Sequence, residues 1–285
     1  TKKLLLRLKD GSAIEAVLIP DDERLTLCVS TQVGCALACA FCATGKLGLL
    51  RHLTPGEIVD QVLRAGEIAG GPREITNIVL MGMGEPLHNY DGTMTALRNL
   101  CHAQGLNFSP RRITLSTVGM IPEMLRLGDE LPVKLAVSLH ADDNETRAKI
   151  MPINKKYDLE ALIAACHEFP MPTRNRITFE YVMLRGVNTG LDHADRLGRL
   201  LRGLPSKVNL IPFNEHPGSE FERPTNAEVE AFKERLLTYN LPVMVRTTRG
   251  RDIAAACGQL WLQEEGLVPG PIYKGPARRA AARIE

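Results

Sequence analysis

No stretch of about 18 consecutive apolar residues occurs in this 285-residue chain, so its sequence encodes no membrane-spanning helix. The N-terminal TKKLLLRLKDG lacks the long apolar segment and small-residue cleavage site of a secretory leader. A soluble, cytoplasmic protein with no membrane partner is expected. An excess of one charge is missing too: 35 Lys and Arg stand against 33 Asp and Glu, a formal net charge of +2, which by itself does not mark a nucleic-acid binder. Short basic groups do occur, at Arg111-Arg112, Lys155-Lys156, Arg174 with Arg176, and Arg246, Arg249 and Arg251, and the tail YKGPARRAAARIE is basic. Each alone reads as a solvated face. Repeats, low-complexity tracts and long linkers are absent, and 44% hydrophobic residues suffice for one large domain or two small ones. Cysteine is sparse, and its count of 7 is odd, with three thiols clustered, which argues against a secreted disulfide framework. A reducing compartment and metal or redox chemistry fit better.

What the chain does contain is alternation. LLLRLKDGSAIEAVLIP sets two apolar runs around Asp10-Gly11, the pattern of a β-hairpin. A strand RLTLCVS follows, and Thr54-Pro55-Gly56-Glu57 opens a helix with Thr54 as N-cap and Pro55 at the first helical position. Apolar, β-rich segments then recur at 74–82, 111–119, 133–141, 175–184, 207–215 and 241–249, most of them separated by helical patterns. Strands alternating with helices predict parallel β/α units. Near-continuous apolar strands such as NIVLM suggest a sheet covered on both faces. About seven such strands fall one short of an eight-stranded barrel, so the expected fold is α/β, a partial (open) β/α barrel with an N-terminal β-hairpin. Residues 1–24 are read as the hairpin extension, 25–262 as the barrel and 263–285 as a basic C-terminal tail. Polar insertions at the strand ends, GMGEP, STVG, SLHA, NLIPFNE and RTTRGRDIAAACGQL, mark where functional groups should gather.

The densest chemistry lies in CVSTQVGCALACAFCATG, where Cys35, Cys39 and Cys42 follow the spacing C-x3-C-x2-C. Three thiolates so close can wrap a tetrahedral zinc or an iron-sulfur cluster. Zinc would need a fourth ligand, and the near candidate, His52, lies outside the usual spacing for a paired ligand. A [4Fe-4S] cluster on three cysteines would instead leave one iron open to a small molecule. Cys28, Cys101, Cys166 and Cys257 stand apart from this loop. Cys101 and Cys166 sit within amphipathic helices and read as core residues. Cys28 could equally be a core-facing strand thiol, because Leu25, Leu27 and Val29 would face the other side.

The motif C-x3-C-x2-C with Phe41 before the last cysteine resembles that of the radical S-adenosylmethionine (SAM) superfamily. TLCVSTQVGCALACAFCATG, LTPGEIVDQV, VLMGMGEPLHN, RRITLSTVG, AVSLHADDNETRAKIMPINKKY, EYVMLRGVN, VNLIPFNEHPG and RTTRGRDIAAACGQL resemble, in order, the RlmN/Cfr family of rRNA adenine methyltransferases, over about residues 14–260. GMGEP is more similar to the C2-adenine branch than to the C8 branch. The resemblance implies a radical SAM barrel, a [4Fe-4S] cluster on Cys35, Cys39 and Cys42, and two SAM molecules per turnover. The implied reaction methylates C2 of an adenine in 23S rRNA, with tRNA left open as a further substrate. It passes through a methylcysteine intermediate, a 5′-deoxyadenosyl radical and a protein-RNA adduct. By the same resemblance Cys257 carries the methyl group, Cys28 is the resolving thiol that forms a transient disulfide with it, and Glu15 accepts the proton. Gly84, Glu85, Ser116, Ser138, Leu139, His140 and Asn214 match SAM-contacting positions. An electron donor such as a flavodoxin-type reductant is implied, and a monomer is expected. The family's helical accessory domain ahead of the hairpin is expected to be absent, since this chain begins almost at the hairpin. C8 methylation, or a radical SAM enzyme acting on a peptide, are the competing readings.

Overall fold

The computed structural model describes residues 1–171, 175–246, 255–256 and 258–260. The hairpin forms where the apolar runs place it: β1 (Lys2–Arg7) pairs antiparallel with β2 (Ala13–Asp21), from Lys2 opposite Leu18 to Arg7 opposite Ala13. Gly11, at φ +86°, supplies the left-handed turn residue. β2 in turn pairs antiparallel with β3 (Arg24–Cys28). From β3 onward the sheet is parallel, through β6 (Asn77–Leu80), β7 (Ile113–Thr117), β8 (Lys134–Ser138), β9 (Ile177–Met183), β10 (Ser206–Pro212) and β11 (Val243–Val245). The nine strands run in the order β1-β2-β3-β6-β7-β8-β9-β10-β11, with β1 and β11 at opposite edges, so the barrel is open. The hairpin is continuous with the barrel sheet. The seven strands β3 and β6 to β11 are those expected from the sequence.

Helices fill the crossovers: α2 (Pro55–Ala69), α3 (Tyr90–Cys101), α4 (Ile121–Glu130), α5 (Asn144–Ile150), α6 (Leu159–Glu168), α7 (Leu191–Leu200) and α8 (Asn226–Leu237). α2 begins as the sequence predicts, in a capping box: the Thr54 hydroxyl accepts from the Glu57 N–H at 3.2 Å, and the Glu57 carboxylate accepts from the Thr54 N–H at 2.8 Å. Alternate strand residues, among them Leu27, Ile78, Leu80, Leu115, Leu135, Val137, Phe179, Tyr181, Val208 and Leu210, pack against these helices in the main core. The opposite sheet face carries half-buried Asn77, Thr114, Ser116, Ser138 and Asn209 alongside buried Ala136, Glu180, Val182 and Ile211. Helices cover one face and the other lines the lumen, so the burial expected on both faces is nearly complete at β9 and partial at β6 and β7. NIVL reads half-buried, buried, half-buried, buried along its length.

A second, two-stranded antiparallel sheet of β4 (Gln32–Gly34) and β5 (Leu49–His52) brackets the cysteine loop, with the one-turn α1 (Ala43–Lys46) inside it. Among the described residues no helix is long and apolar enough to cross a membrane.

Candidate active site

The cysteine loop is held by backbone bonds rather than by bulk. Gly34 sits at φ +76°, and a Cβ there would lie 1.9 Å from the Gly48 carbonyl oxygen, so β4 and β5 can close only around glycine. The Cys35 N–H donates to that same Gly48 oxygen at 2.8 Å, the Ala40 N–H to Ile150 O at 2.9 Å, and the Cys42 N–H to Cys39 O at 3.1 Å. Cys35, Cys39 and Cys42 thereby line one cleft together with the C-terminal ends of β6 to β10. Burial pushes the Cys35 thiol up to about 12 and raises the Cys39 thiol well above its ordinary value, and the thiols raise one another. A cation is what would hold such a set as thiolates.

Across the cleft lies GMGEP. Gly84, at φ +100°, would place a Cβ 2.5 Å from Gln32 Cβ, so the turn rests directly on β4. Glu85 is buried, and its Oε1 accepts from the Leu87 N–H (3.1 Å) and its Oε2 from the Val118 N–H (2.9 Å). Burial raises its pKa to about 7 in spite of these bonds. Ser116, Ser138, His140 and Asn214 line the same cleft. His140 sits at φ +60° and is buried. Its Nδ1 accepts from the Val182 N–H at 2.9 Å, and burial lowers its pKa to about 3, so the neutral ring carries its proton on Nε2. The ring edge meets Phe41, 4.8 Å between centroids. Leu139 differs from its neighbours: its side chain is packed in the helix-side core, outside the cleft lining.

Glu180 also lines the cleft and was missed in the sequence. It is buried, its carboxyl is raised by burial, and Oε2 accepts from Asn209 Nδ2 at 2.7 Å. A single carboxylate in the apolar run ITFEYVM, in step with Thr178 and Val182, was the available signal. His52 does not line the cleft; its Nδ1 meets Gln32 Nε2 at 2.9 Å, and its ring packs edge-on to His88.

Beside the cleft, β3 brings Cys28 into register with Val17 of β2, and Glu15 lies two residues along β2 on the same face, about 7 Å by strand geometry. Glu15 is buried, its Oε1 pairs with Lys3 Nζ at 2.8 Å, and its buried Oε2 has no hydrogen-bond partner. Cys28 shares an apolar cluster with Ile14, Val17, Met83, Ala255 and Leu260. Cys257, Arg249, Arg251, Arg174 and the 263–285 tail lie outside the described residues. The described neighbours of position 257 are tied to the cysteine loop: Gly258 O accepts from the Ala43 N–H at 2.9 Å and Leu260 O from the Thr44 hydroxyl at 2.7 Å.

Residues 29–197 match the family model described as the Radical SAM superfamily. The chain is 55% identical over 260 residues to the dual-specificity RNA methyltransferase RlmN of Syntrophobacter fumaroxidans, covering 91% of this chain and 76% of that protein. This chain belongs to the RlmN family of radical SAM enzymes. A second RlmN relative, from Anaeromyxobacter dehalogenans, is 54% identical over 100% of this chain and 76% of its own length. Among solved structures, a radical SAM methyltransferase from Sphaerobacter thermophilus superposes with a TM-score of 0.87 at 50% identity, covering 90% of this chain and 76% of that one.

The donor set fits the cluster that radical SAM membership implies. Among the described residues, the set of ligand atoms lying within 4.8 Å of one another is that of Asp142, Asp143 and His193, not that of the three cysteines. Sulfurs around one tetrahedral zinc would stand about 3.8 Å apart, from a Zn–S bond of about 2.3 Å. With the three sulfurs not gathered that closely, a single zinc lacks the spacing. A larger cluster with one open iron has both the three thiols and the adjoining cleft.

Proposed function

We propose that this chain methylates C2 of an adenine in 23S rRNA, with tRNA as a second substrate in keeping with the dual-specificity name of its relatives. The observation that carries the reading is one cleft lined by Cys35, Cys39 and Cys42 on one side and by Glu85, Ser116, Ser138, His140 and Asn214 on the other. A [4Fe-4S] cluster and SAM held there supply the methyl group and, with an electron from a low-potential donor such as a flavodoxin, the radical that activates it.

The three cysteines hold the cluster. Glu85 accepts from the SAM amino group, and the backbone at Gly84 lets that group approach. Ser116, Ser138 and Asn214 would bond the ribose hydroxyls and carboxylate, and His140 would offer its Nε2–H to the same ligand. Leu139 contributes through its backbone, which sets the turn into His140.

C2 of adenine has no nucleophilic lone pair, which is why the methyl group travels on a protein sulfur, that of Cys257. Once the carrier carbon has bonded to C2, Glu15 takes the C2 proton; its unpartnered Oε2 favours this role. The adduct gives back the one electron borrowed to form the radical; the Cys28 thiolate attacks the Cys257 sulfur, the sulfur–carbon bond breaks with its electron pair on carbon, that carbon takes a proton to become the methyl group, and a disulfide remains as methyladenine leaves. Support comes from Cys28, Glu15 and the residues flanking 257 bordering one apolar cluster. The target base has to be unstacked to reach this depth.

The test is an anaerobic assay of reconstituted protein with SAM, a reductant and an rRNA fragment, read by mass spectrometry of the nucleosides. The expected product is 2-methyladenine with 5′-deoxyadenosine. 8-Methyladenine as main product would overturn the regiochemistry, and absence of 5′-deoxyadenosine the radical reading.

A further inference from the structure

Arg147 of α5 is 0% exposed, which is rare for a guanidinium. It donates five hydrogen bonds: Nε to Leu139 O (3.1 Å), Nη1 to Asn154 Oδ1 (3.0 Å) and Tyr157 O (3.4 Å), and Nη2 to Val118 O (2.8 Å) and Ser138 O (3.2 Å). Every acceptor is neutral, and among the described residues no carboxylate faces the group. Burial lowers its pKa only to about 10, so the cation persists at neutral pH. Burying an unpaired cation is costly, and carbonyl acceptors offset only part of that cost. The fold retains it at one place, beneath the cleft.

What Arg147 joins is specific. Val118 follows β7, and Ser138 ends β8; both line the cleft, and the Val118 N–H is the one that holds Glu85 Oε2. Leu139 leads into His140. The other end of the same helix is bonded to the cysteine loop, Ala40 N–H to Ile150 O at 2.9 Å, and Ile150 and Met151 pack with Cys39. Arg147 and Cys39 are close enough to interact electrostatically. A positive charge so placed favours the more negative, reduced state of a thiolate-bound cluster.

We propose that Arg147 is a positioning residue for this site: its fork fixes the β7 and β8 ends that hold SAM, and its uncompensated charge faces the cluster. It can act so only if the three cysteines hold a cluster and the strand ends hold SAM, as proposed above.

Two variants separate fork from charge. Arg147→Lys keeps the charge and loses the fork. Asn154→Asp keeps the arginine in place, sets a carboxylate against it, and remains informative should Arg147 variants fail to fold. Cluster content, the midpoint potential from an EPR-monitored titration, and the SAM Kd by equilibrium dialysis are measured on anaerobically reconstituted protein. R147K is expected to weaken SAM binding about tenfold with the potential unchanged. N154D is expected to make the cluster at least about tenfold harder to reduce, ~59 mV more negative for one electron, with SAM affinity close to wild type. A potential in N154D equal to wild type, or an unchanged SAM Kd in R147K, overturns the role of Arg147 while leaving the cluster reading intact. A wild-type protein that takes up no iron and sulfide sinks both.

Discussion

Glu85 is the residue whose protonation should be visible from outside. Its folded pKa, about 7, lies above its ordinary 4.5 because burial disfavours the anion. For a raised pKa the stabilising contribution is complete below the unfolded value and is lost as pH rises through the folded one. Ligand-free protein is therefore expected to lose melting temperature between about pH 4.5 and pH 7, and Glu85→Gln to flatten that slope. With Glu85 pairing to the SAM amino group as proposed, SAM should bind more tightly as pH rises through the same window, with the step missing in Glu85→Gln; equilibrium dialysis across pH 5.5 to 8 checks both. At Cys28, replacement by alanine should leave the carrier step intact and block release, trapping a covalent protein-RNA species visible as a band retarded on denaturing gels. Normal turnover would reduce Cys28 to a core thiol. Single residues were unevenly legible in the sequence. Glu15, a lone carboxylate in AIEAVLIP, fits an exposed strand position nearly as well on sequence grounds, and the pairing of β1, β2 and β3 buries it. Arg147, in NETRAKI, has the appearance of any helix-surface charge; its burial depends on four backbone carbonyls, those of Val118, Ser138, Leu139 and Tyr157, contributed by segments that come together only in the fold.

At the scale of elements, the long periodic segments announced themselves. Thr54-Pro55 and Glu57 mark the start of α2 because capping is local, and the seven parallel strands are visible because each is a β-rich run between helical patterns. The short elements around the cysteine loop were not. β4 has three residues, β5 and α1 four each, too few for any period to show, and they exist because the loop closes on itself. That closure depends on Gly34. Gly34→Ala, which sets a Cβ 1.9 Å from a backbone oxygen at φ +76°, should cost about 3 kcal/mol or more and lower iron uptake on reconstitution. Gly11→Ala, at φ +86° with nothing within 4 Å of the added Cβ, should cost only about 1 kcal/mol, and urea unfolding of both separates clash from backbone strain.

Over the whole molecule, an open sheet with helices on one face leaves the other face free to present side chains to a ligand. Successive strand ends contribute one or two groups each, so residues as far apart in sequence as Cys35, Glu85, Ser138 and Asn214 meet in one cleft. Strand order and the C-terminal-end rule made that convergence foreseeable, whereas the roles of Cys28 and Cys257 came from resemblance alone. The central claim, that the methyl group is carried on a protein sulfur and activated by loss of a hydrogen, is tested most directly by isotope. With SAM bearing a fully deuterated methyl group, the account predicts 2-methyladenine that retains two deuterium atoms and 5′-deoxyadenosine that has gained one. Product retaining all three deuterium atoms, with unlabelled 5′-deoxyadenosine, would mean direct transfer and would contradict it.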